Sequence, residues 1–492
     1  MLYFSTRNEK NKVTAAEAIS RGLAPDGGLF VPETLPRLTL GDIKEIGKKD
    51  YRGRAFDIMK LFLDEFTDDE LRGMIAKAYG DNFDSADTAP VHFVDDKTAV
   101  LELWHGPTCA FKDMALQMLP HLLTASLKKC GEQRKVCILV ATSGDTGKAA
   151  LEGFADVENT KILVFYPHNG VSDVQKLQMI TQTGDNVSVA AVRGNFDDAQ
   201  TGVKKIFADK TFAEKLSENG WFLSSANSIN WGRLLPQIVY YFSAYCDFAN
   251  SGRVNYGDKV DFAVPTGNFG NILACWYAKN MGLPVGKLIC ASNQNNVLAD
   301  FFDNGVYDRN RTFYTTISPS MDILVSSNLE RLLYSVCKND AEVAGYMKEL
   351  SETGKYEVSD TIKSAIGENF VGGYCSDADT KAVIGKVYAE NGYLMDTHTA
   401  VAFKKVLDYR TENAAVPTVV VSTASPYKFC DSVLEALGHE TAGSGTQLIE
   451  KLSDFTKTSV PKPLAGLDKR EKRFSLVTDK DGMEKVVAEF LL

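Results

Sequence analysis

Apolar and polar positions follow two different patterns along the chain, and the change falls near residue 91. Before it, residues 14–21 have helical spacing. Residues 22–32 (GLAPDGGLFVP) form a turn punctuated by glycine and proline, and helical spacing returns over residues 57–79. From residue 91, apolar runs of strand length alternate with helical stretches. Residues 98–103 lead to a helix after Asp113, residues 136–141 to one after Thr146, and residues 161–166 to one from Ser172. Residues 186–192 precede a helix from Asp197, residues 260–264 one from Asn271, and residues 287–292 one from Val297. Strand and helix repeated at this spacing predict a doubly wound, mostly parallel α/β sheet, because parallel neighbours need a crossover long enough to hold a helix. Residues 418–422, with three valines in succession, predict a late buried strand.

These patterns divide the 492 residues into three parts. Residues 1–90 read as a small, partly helical region and residues 91–440 as the α/β body. Residues 441–492, polar and mixed from about Ser444, read as a C-terminal appendage. In an open parallel sheet, ligands gather beyond the carboxyl ends of the strands. Four unusual segments fall there: WHGPTCAFKD after Leu103, TSGDTGKAA after Ala141, PTGNFGN after Val264 and STASPYKF after Val421. Four such loops at the same end of one sheet predict one site.

Composition narrows the chemistry. A net charge of -10 argues against a nucleic-acid partner or an anionic membrane surface. It leaves small anions open, since a few backbone amides and one or two cations suffice to bind them. Nine scattered cysteines without a C-x-x-C pair fit a reducing compartment better than a disulfide framework. The six histidines are not at metal-ligand spacing, so no metal is expected. With neither a signal-like start nor a run of about 18 apolar residues, the expected location is the cytosol.

Within the loops, Gly267 and Gly270 of PTGNFGN can turn amides inward ahead of a helix, which makes a phosphate cradle; a tight strand-to-helix turn explains them equally. GDTGK is not a P-loop: Thr142 stands where its first glycine is required and Ala149 where its hydroxyl is. Thr142, Ser143, Asp145 and Thr146 suit an anion, although Asp145 or Thr146 as a simple helix cap explains them too. Lys112 in AFKDMA precedes a helix for which Asp113 is the expected N-cap. A lysine is ordinarily a solvated surface charge, but one enclosed beside Phe111 would have the lowered pKa that carbonyl chemistry needs. Ser422, Thr423 and Ser425 can contact a ring nitrogen or cap a turn. Asn227, Ser228, Asn230 and Arg233 crowd the start of an apolar helix, as a phosphate site or as a cap with Arg233 on the exposed flank.

Taken in order, GLAPDGGLFVP, HGPTCAFKD, ATSGDTG, SANSINWGRLLPQIVYY, VPTGNFGN, SPSMDILVSSNLERLLY, DTHTAVA and STASPYKF resemble the fold-type II pyridoxal-phosphate enzymes, and within them the threonine synthases of the long bacterial and fungal kind. The resemblance runs through most of the chain. It implies a two-lobed fold with doubly wound, mostly parallel sheets, the smaller lobe spanning roughly residues 115–230, plus a small N-terminal α-rich region. It also implies pyridoxal 5'-phosphate as cofactor and O-phospho-L-homoserine as substrate.

By position, Lys112 corresponds to the lysine that holds the cofactor as a Schiff base. Gly267, Asn268, Phe269, Gly270 and Asn271 correspond to the cofactor-phosphate loop, and Thr423 to the hydroxyl beside the pyridine nitrogen. Thr142, Ser143, Asp145 and Thr146 match the loop facing the cofactor's 3'-oxygen and the substrate. Asn227, Ser228 and Arg233 match the residues that hold the substrate phosphate. Asp145 departs from the asparagine usual in the wider group, and a carboxylate beside an oxygen anion needs a proton or a partner. Cys109 and Thr397 depart as well, without removing a group the chemistry needs. The implied reaction is γ-elimination of phosphate and addition of water at the β-carbon to give L-threonine. Dehydratases, or a phospho-lyase releasing a keto acid, are the alternatives on the same scaffold. A non-catalytic relative is the alternative from another class. A monomer without a long regulatory N-terminal extension is expected.

Overall fold

The computed structural model describes residues 1–413 and 416–492. Two sheets form the α/β body. The larger has six strands, in the order Phe370–Tyr374, Val285–Ser292, Val260–Pro265, Thr418–Ser422, Thr98–Glu102 and Val91–Phe93. All are parallel except Val91–Phe93, which runs antiparallel to its neighbour. Thr418–Ser422 is buried throughout, as its valines predict, because the helix Thr397–Glu412 covers one face of the sheet. The smaller sheet is parallel throughout, in the order Leu476–Asp479, Val187–Arg193, Thr160–Pro167, Lys135–Ala141 and Trp221–Ser224. The special loops therefore do not share one sheet as expected. Three leave the larger sheet, and the one after Ala141 leaves the smaller.

Helix starts follow local chemistry. Ser172 and Asn195 accept hydrogen bonds from the third residues of the helices Asp173–Ile180 and Phe196–Ala208. In the N-terminal region, Thr14, Thr39 and Thr67 form capping boxes with Glu17, Asp42 and Glu70. That region also holds a three-stranded antiparallel sheet, Asn8–Thr14, Leu2–Ser5 and Phe30–Pro32, absent from the sequence-based expectation. Its strands are too short and irregular for alternation to register.

The C-terminal stretch is less separate than its polar composition suggests. Leu476–Asp479 is an edge strand of the smaller sheet, and the helix Met483–Leu491 buries Met483, Val486, Val487 and Leu491 in that lobe's core. No helix among the described residues is long and apolar enough to cross a membrane.

Candidate functional site

The segment carrying Lys112 is stitched to the loop after the strand Thr418–Ser422. The Leu103 amide donates to the Ser422 carbonyl at 3.0 Å, Phe111 to Thr423 at 2.8 Å and Ser425 to Cys109 at 3.1 Å. Asp113 is not the expected N-cap. It lies inside the short helix Asp113–Leu116, where its buried carboxylate accepts from the Thr108 amide at 2.8 Å and the Thr108 hydroxyl at 2.7 Å. Lys112 takes the cap position, and its side chain makes no capping bond. The Lys112 Nζ lies 3.4 Å from the Ser320 Oγ and 4.8 Å from the Phe111 ring centre. Burial lowers its pKa to about 8; Lys428 and Arg233 push the same way, against Asp145 and Asp113. Lys112 is half-buried, and a freely solvated lysine would not have this lowered value.

In the loop after Ala141, neither Asp145 nor Thr146 caps the helix Asp145–Phe154. Gly144 stands at the cap position with φ 149°, and a Cβ there would lie 2.5 Å from the Gln175 side chain. The Thr142 hydroxyl instead accepts from the amides of Gly144 at 3.0 Å and Gly147 at 2.9 Å, so it shapes the loop. Ser143 is exposed and Thr146 half-buried. Lys148, which gives GDTGK its P-loop look, is buried in an ion pair with Glu152 at 2.7 Å.

Asp145 finds the partner that its departure from asparagine requires. Its Oδ1 lies 2.6 Å from the Lys428 Nζ and accepts from the Gln175 amide at 2.9 Å. Burial alone would raise this carboxyl; Lys428, with Lys112 second, holds it well below the usual carboxylate range instead. Lys428 is fully buried and also donates to the Thr108 carbonyl at 3.0 Å. It ties the two lobes together beside Lys112.

Phe269 has φ 63° at the start of the helix Gly270–Asn280, which has no side-chain cap. The amides of Gly267, Asn268 and Phe269 have no acceptor among the described residues. A Cβ on Gly267 would stand 2.6 Å from the Ser320 carbonyl oxygen, so only glycine allows that approach. The loop's carbonyls point the other way: Gly267 accepts from the Ser326 hydroxyl at 2.6 Å, and Asn268 from the Asn328 amide at 3.1 Å and side chain at 2.9 Å. Asn271 accepts from Tyr240 at 2.5 Å and Tyr241 at 2.7 Å, while its Nδ2 is buried without a partner.

At the start of the helix Trp231–Asn250, Asn230 is the N-cap, accepting from the Gly232 amide at 2.8 Å. Arg233 is not on an exposed flank: it is 2% exposed. One guanidinium nitrogen donates to the Ala226 carbonyl at 2.7 Å, the Nε has no partner, and no carboxylate within 4.0 Å pairs with it among the described residues. Burial lowers its pKa to about 10. A buried guanidinium without a carboxylate is suited to pairing with an anion. Asn227 is exposed and Ser228 half-buried beside it. Of the hydroxyls after the late strand, Ser422 accepts from Trp104 at 3.0 Å and from Thr399 at 2.9 Å, and Ser425 turns back on the Tyr427 amide at 3.4 Å. The Thr423 hydroxyl has no partner among the described residues.

Lys428, Ser320, Asn328 and Arg331 went unassigned in the sequence, although each lies inside a motif quoted above. Arg331 donates to the Phe30 carbonyl at 2.9 Å, the Ile229 carbonyl at 2.6 Å and the Asn328 Oδ1 at 2.6 Å. It fixes the N-terminal turn, the Arg233 loop and the Gly267 loop to one another.

A half-buried lysine with a lowered pKa, a cradle of unpaired amides on a loop whose Gly267 admits no side chain, and an unpaired hydroxyl fit pyridoxal phosphate. The cradle could hold its phosphate, the amine its aldehyde and the Thr423 hydroxyl its ring nitrogen. Fold and site define a pyridoxal-phosphate dependent enzyme, and the family model of that description matches residues 99–424. Models for the threonine synthase N terminus and C-terminal region match residues 2–79 and 399–488. The chain is 40% identical over 482 residues to the threonine synthase of Pseudomonas aeruginosa, covering 98% of this chain and 96% of that one. It belongs to the threonine synthase family. The PLP-bound threonine synthase structure from Brucella melitensis superposes with a TM-score of 0.89 at 38% identity, covering 100% of this chain and 98% of that one. Human threonine synthase-like 1 is 42% identical over 459 residues; the match covers 89% of this chain but only 61% of that longer protein.

Proposed function

We propose that the chain is a threonine synthase, converting O-phospho-L-homoserine and water to L-threonine and phosphate. The observation that carries this reading is Arg233, a buried guanidinium without a carboxylate, electrostatically coupled to Lys112. An O-phosphorylated amino acid brings a dianion, beyond the α-carboxylate common to all amino-acid substrates, for that charge to bind.

Bound pyridoxal phosphate supplies the electron sink that makes the substrate's α- and β-protons removable. Lys112 holds the cofactor until substrate arrives. Its amine, with a pKa near 8, then takes and returns those protons at neutral pH. Arg233, with Asn227 and Ser228 at the mouth, binds the substrate phosphate and stabilises the charge that develops as the Cγ–O bond breaks. Gly267, Asn268, Phe269, Gly270 and Asn271 would hold the cofactor phosphate through backbone amides. Thr423 would face the ring nitrogen as a neutral hydroxyl, which would leave that nitrogen largely unprotonated and temper side reactions. Ser143, Asp145 and Thr146 line the side toward the 3'-oxygen and substrate. Lys428 removes the obstacle Asp145 would otherwise present, because the paired carboxylate adds no net negative charge there. Thr142 supports this loop by shaping it.

Incubation with O-phospho-L-homoserine tests the assignment. Equal amounts of phosphate and threonine are expected, whereas phosphate with 2-oxobutyrate would identify a phospho-lyase. We further propose a cytoplasmic monomer, which sedimentation and localisation of the tagged chain would check.

A further inference from the structure

The turn that faces Lys112 is held from behind by a buried dyad. Asp396 caps the helix Thr397–Glu412, accepting from the amides of His398 at 2.9 Å and Thr399 at 3.1 Å. The same carboxylate lies 2.7 Å from the His398 Nδ1, and both side chains are buried. A carboxylate only accepts, so Nδ1 carries the proton and Nε2 presents a lone pair. That lone pair accepts the Ser320 amide at 3.1 Å. Thr397 adds a bond from its hydroxyl to the Ile317 carbonyl at 2.8 Å. The turn Pro319–Met321 is thus fixed at two points, with the Ser320 carbonyl against Gly267 and the Ser320 Oγ 3.4 Å from the Lys112 Nζ.

We propose that Ser320 is a further catalytic residue, the hydroxyl that holds the Lys112 amine during proton transfer, and that His398 and Asp396 are its positioning residues. The hydroxyl accepts an N–H from the charged amine. By rotating, it donates its own hydrogen to the lone pair of the neutral amine, so Lys112 stays oriented in both protonation states with no net proton on the serine. Without the dyad the Ser320 amide loses its one acceptor among the described residues, and the hydroxyl is freed to move relative to the Lys112 amine while the flanks of the turn stay bonded. The inference rests on Lys112 being the cofactor lysine.

The test uses the full chain and begins by fixing that premise: borohydride reduction of the cofactor-loaded protein and peptide mapping must place the cofactor on Lys112. A different lysine would refute the site assignment on which the proposal rests and the proposal with it; with Lys112 placed, the measurements that follow test Ser320 alone. In the cofactor-free chain, competitive acylation of Lys112 as a function of pH reads the amine directly, in the field of Asp145, Lys428, Arg233 and Asp113. Ser320→Ala is expected to lower the labelling midpoint by about one unit, because the charge-assisted bond from the ammonium is stronger than the bond to the neutral amine, so the charged form loses more. Turnover is expected to fall about 10- to 100-fold with KM within about threefold. His398→Leu is expected to reproduce both changes, and His398→Gln, which keeps an acceptor near Nε2, to restore most of the turnover. An unchanged midpoint in Ser320→Ala, or equal losses in His398→Gln and His398→Leu, overturns the proposal; Ser320 is only half-buried, so its alanine variant folds even if the histidine variants do not.

Discussion

Replacing Lys428 by methionine should destabilise the protein in a pH-dependent way. The pair it forms with Asp145 is short, at 2.6 Å, and both partners are buried, so solvent screens it little. Removing one partner of such a pair leaves an uncompensated charge and costs about 3–5 kcal/mol. In the native chain the Asp145 carboxyl is held below its unfolded value. Its contribution is therefore present above about pH 4 and is lost only as pH falls through the lower folded value. It adds no slope between pH 5 and 8. In Lys428→Met only Lys112 and Gln175 remain to oppose burial, and the carboxyl rises above its unfolded value. The folded chain then binds a proton the unfolded chain has released, so stability falls with rising pH by up to about 1.4 kcal/mol per unit. Denaturant unfolding at pH 5, 6, 7 and 8 measures this, with Asp145→Asn added to Lys428→Met as the control. The double variant should recover most of the loss and show no excess slope. A penalty under about 1 kcal/mol that is flat across this range would refute the reasoning, as would a further loss on adding Asp145→Asn.

Other variants probe the remaining groups. Lys112→Ala should abolish turnover and the absorbance band of lysine-bound cofactor while unfolding at the native denaturant concentration, because the side chain caps nothing; multiple turnover by that variant would show that another lysine serves. Arg233→Ala should raise KM for O-phospho-L-homoserine on the order of 100-fold and leave cofactor affinity within severalfold; equal losses, measured by cofactor titration, would place Arg233 elsewhere. The rate at which the cofactor-free chain takes up pyridoxal phosphate should rise with pH, reach its midpoint near 8, the lowered value for Lys112, and level off about one unit above that as free amine replaces ammonium. A rise continuing to pH 10 would mean that the amine is solvated.

The parts of the site legible in the sequence are those whose chemistry is local. The glycines of the Phe269 loop, the hydroxyls after the late strand and the crowding before Trp231 all announce themselves within a few residues. Each left two explanations open, and burial decided between them: Arg233 lost its exposed-flank reading, and Lys112 its surface one, once their surroundings were in view. Lys428 was illegible because its meaning depends on Asp145, a residue on the other sheet. Asp145 in turn looked anomalous because its partner lay in a motif quoted for its hydroxyls. Asp113 was misassigned for a related reason: it sits where a helix cap is expected, yet its carboxylate serves the loop instead of the helix. The edge strand Leu476–Asp479 is half-exposed and four residues long, so only its pairing with Val187–Arg193 reveals it.

The central claim is that phosphate leaves from carbon and water returns to the neighbouring carbon, with both steps served by Lys112 and Arg233. Turnover of O-phospho-L-homoserine in water enriched in oxygen-18 tests it most directly. Threonine carrying one solvent oxygen at its β-hydroxyl, with released phosphate free of label, is the predicted result. Labelled phosphate with homoserine would mean cleavage at phosphorus, and 2-oxobutyrate in place of threonine would mean that water does not add at the β-carbon; either contradicts the account.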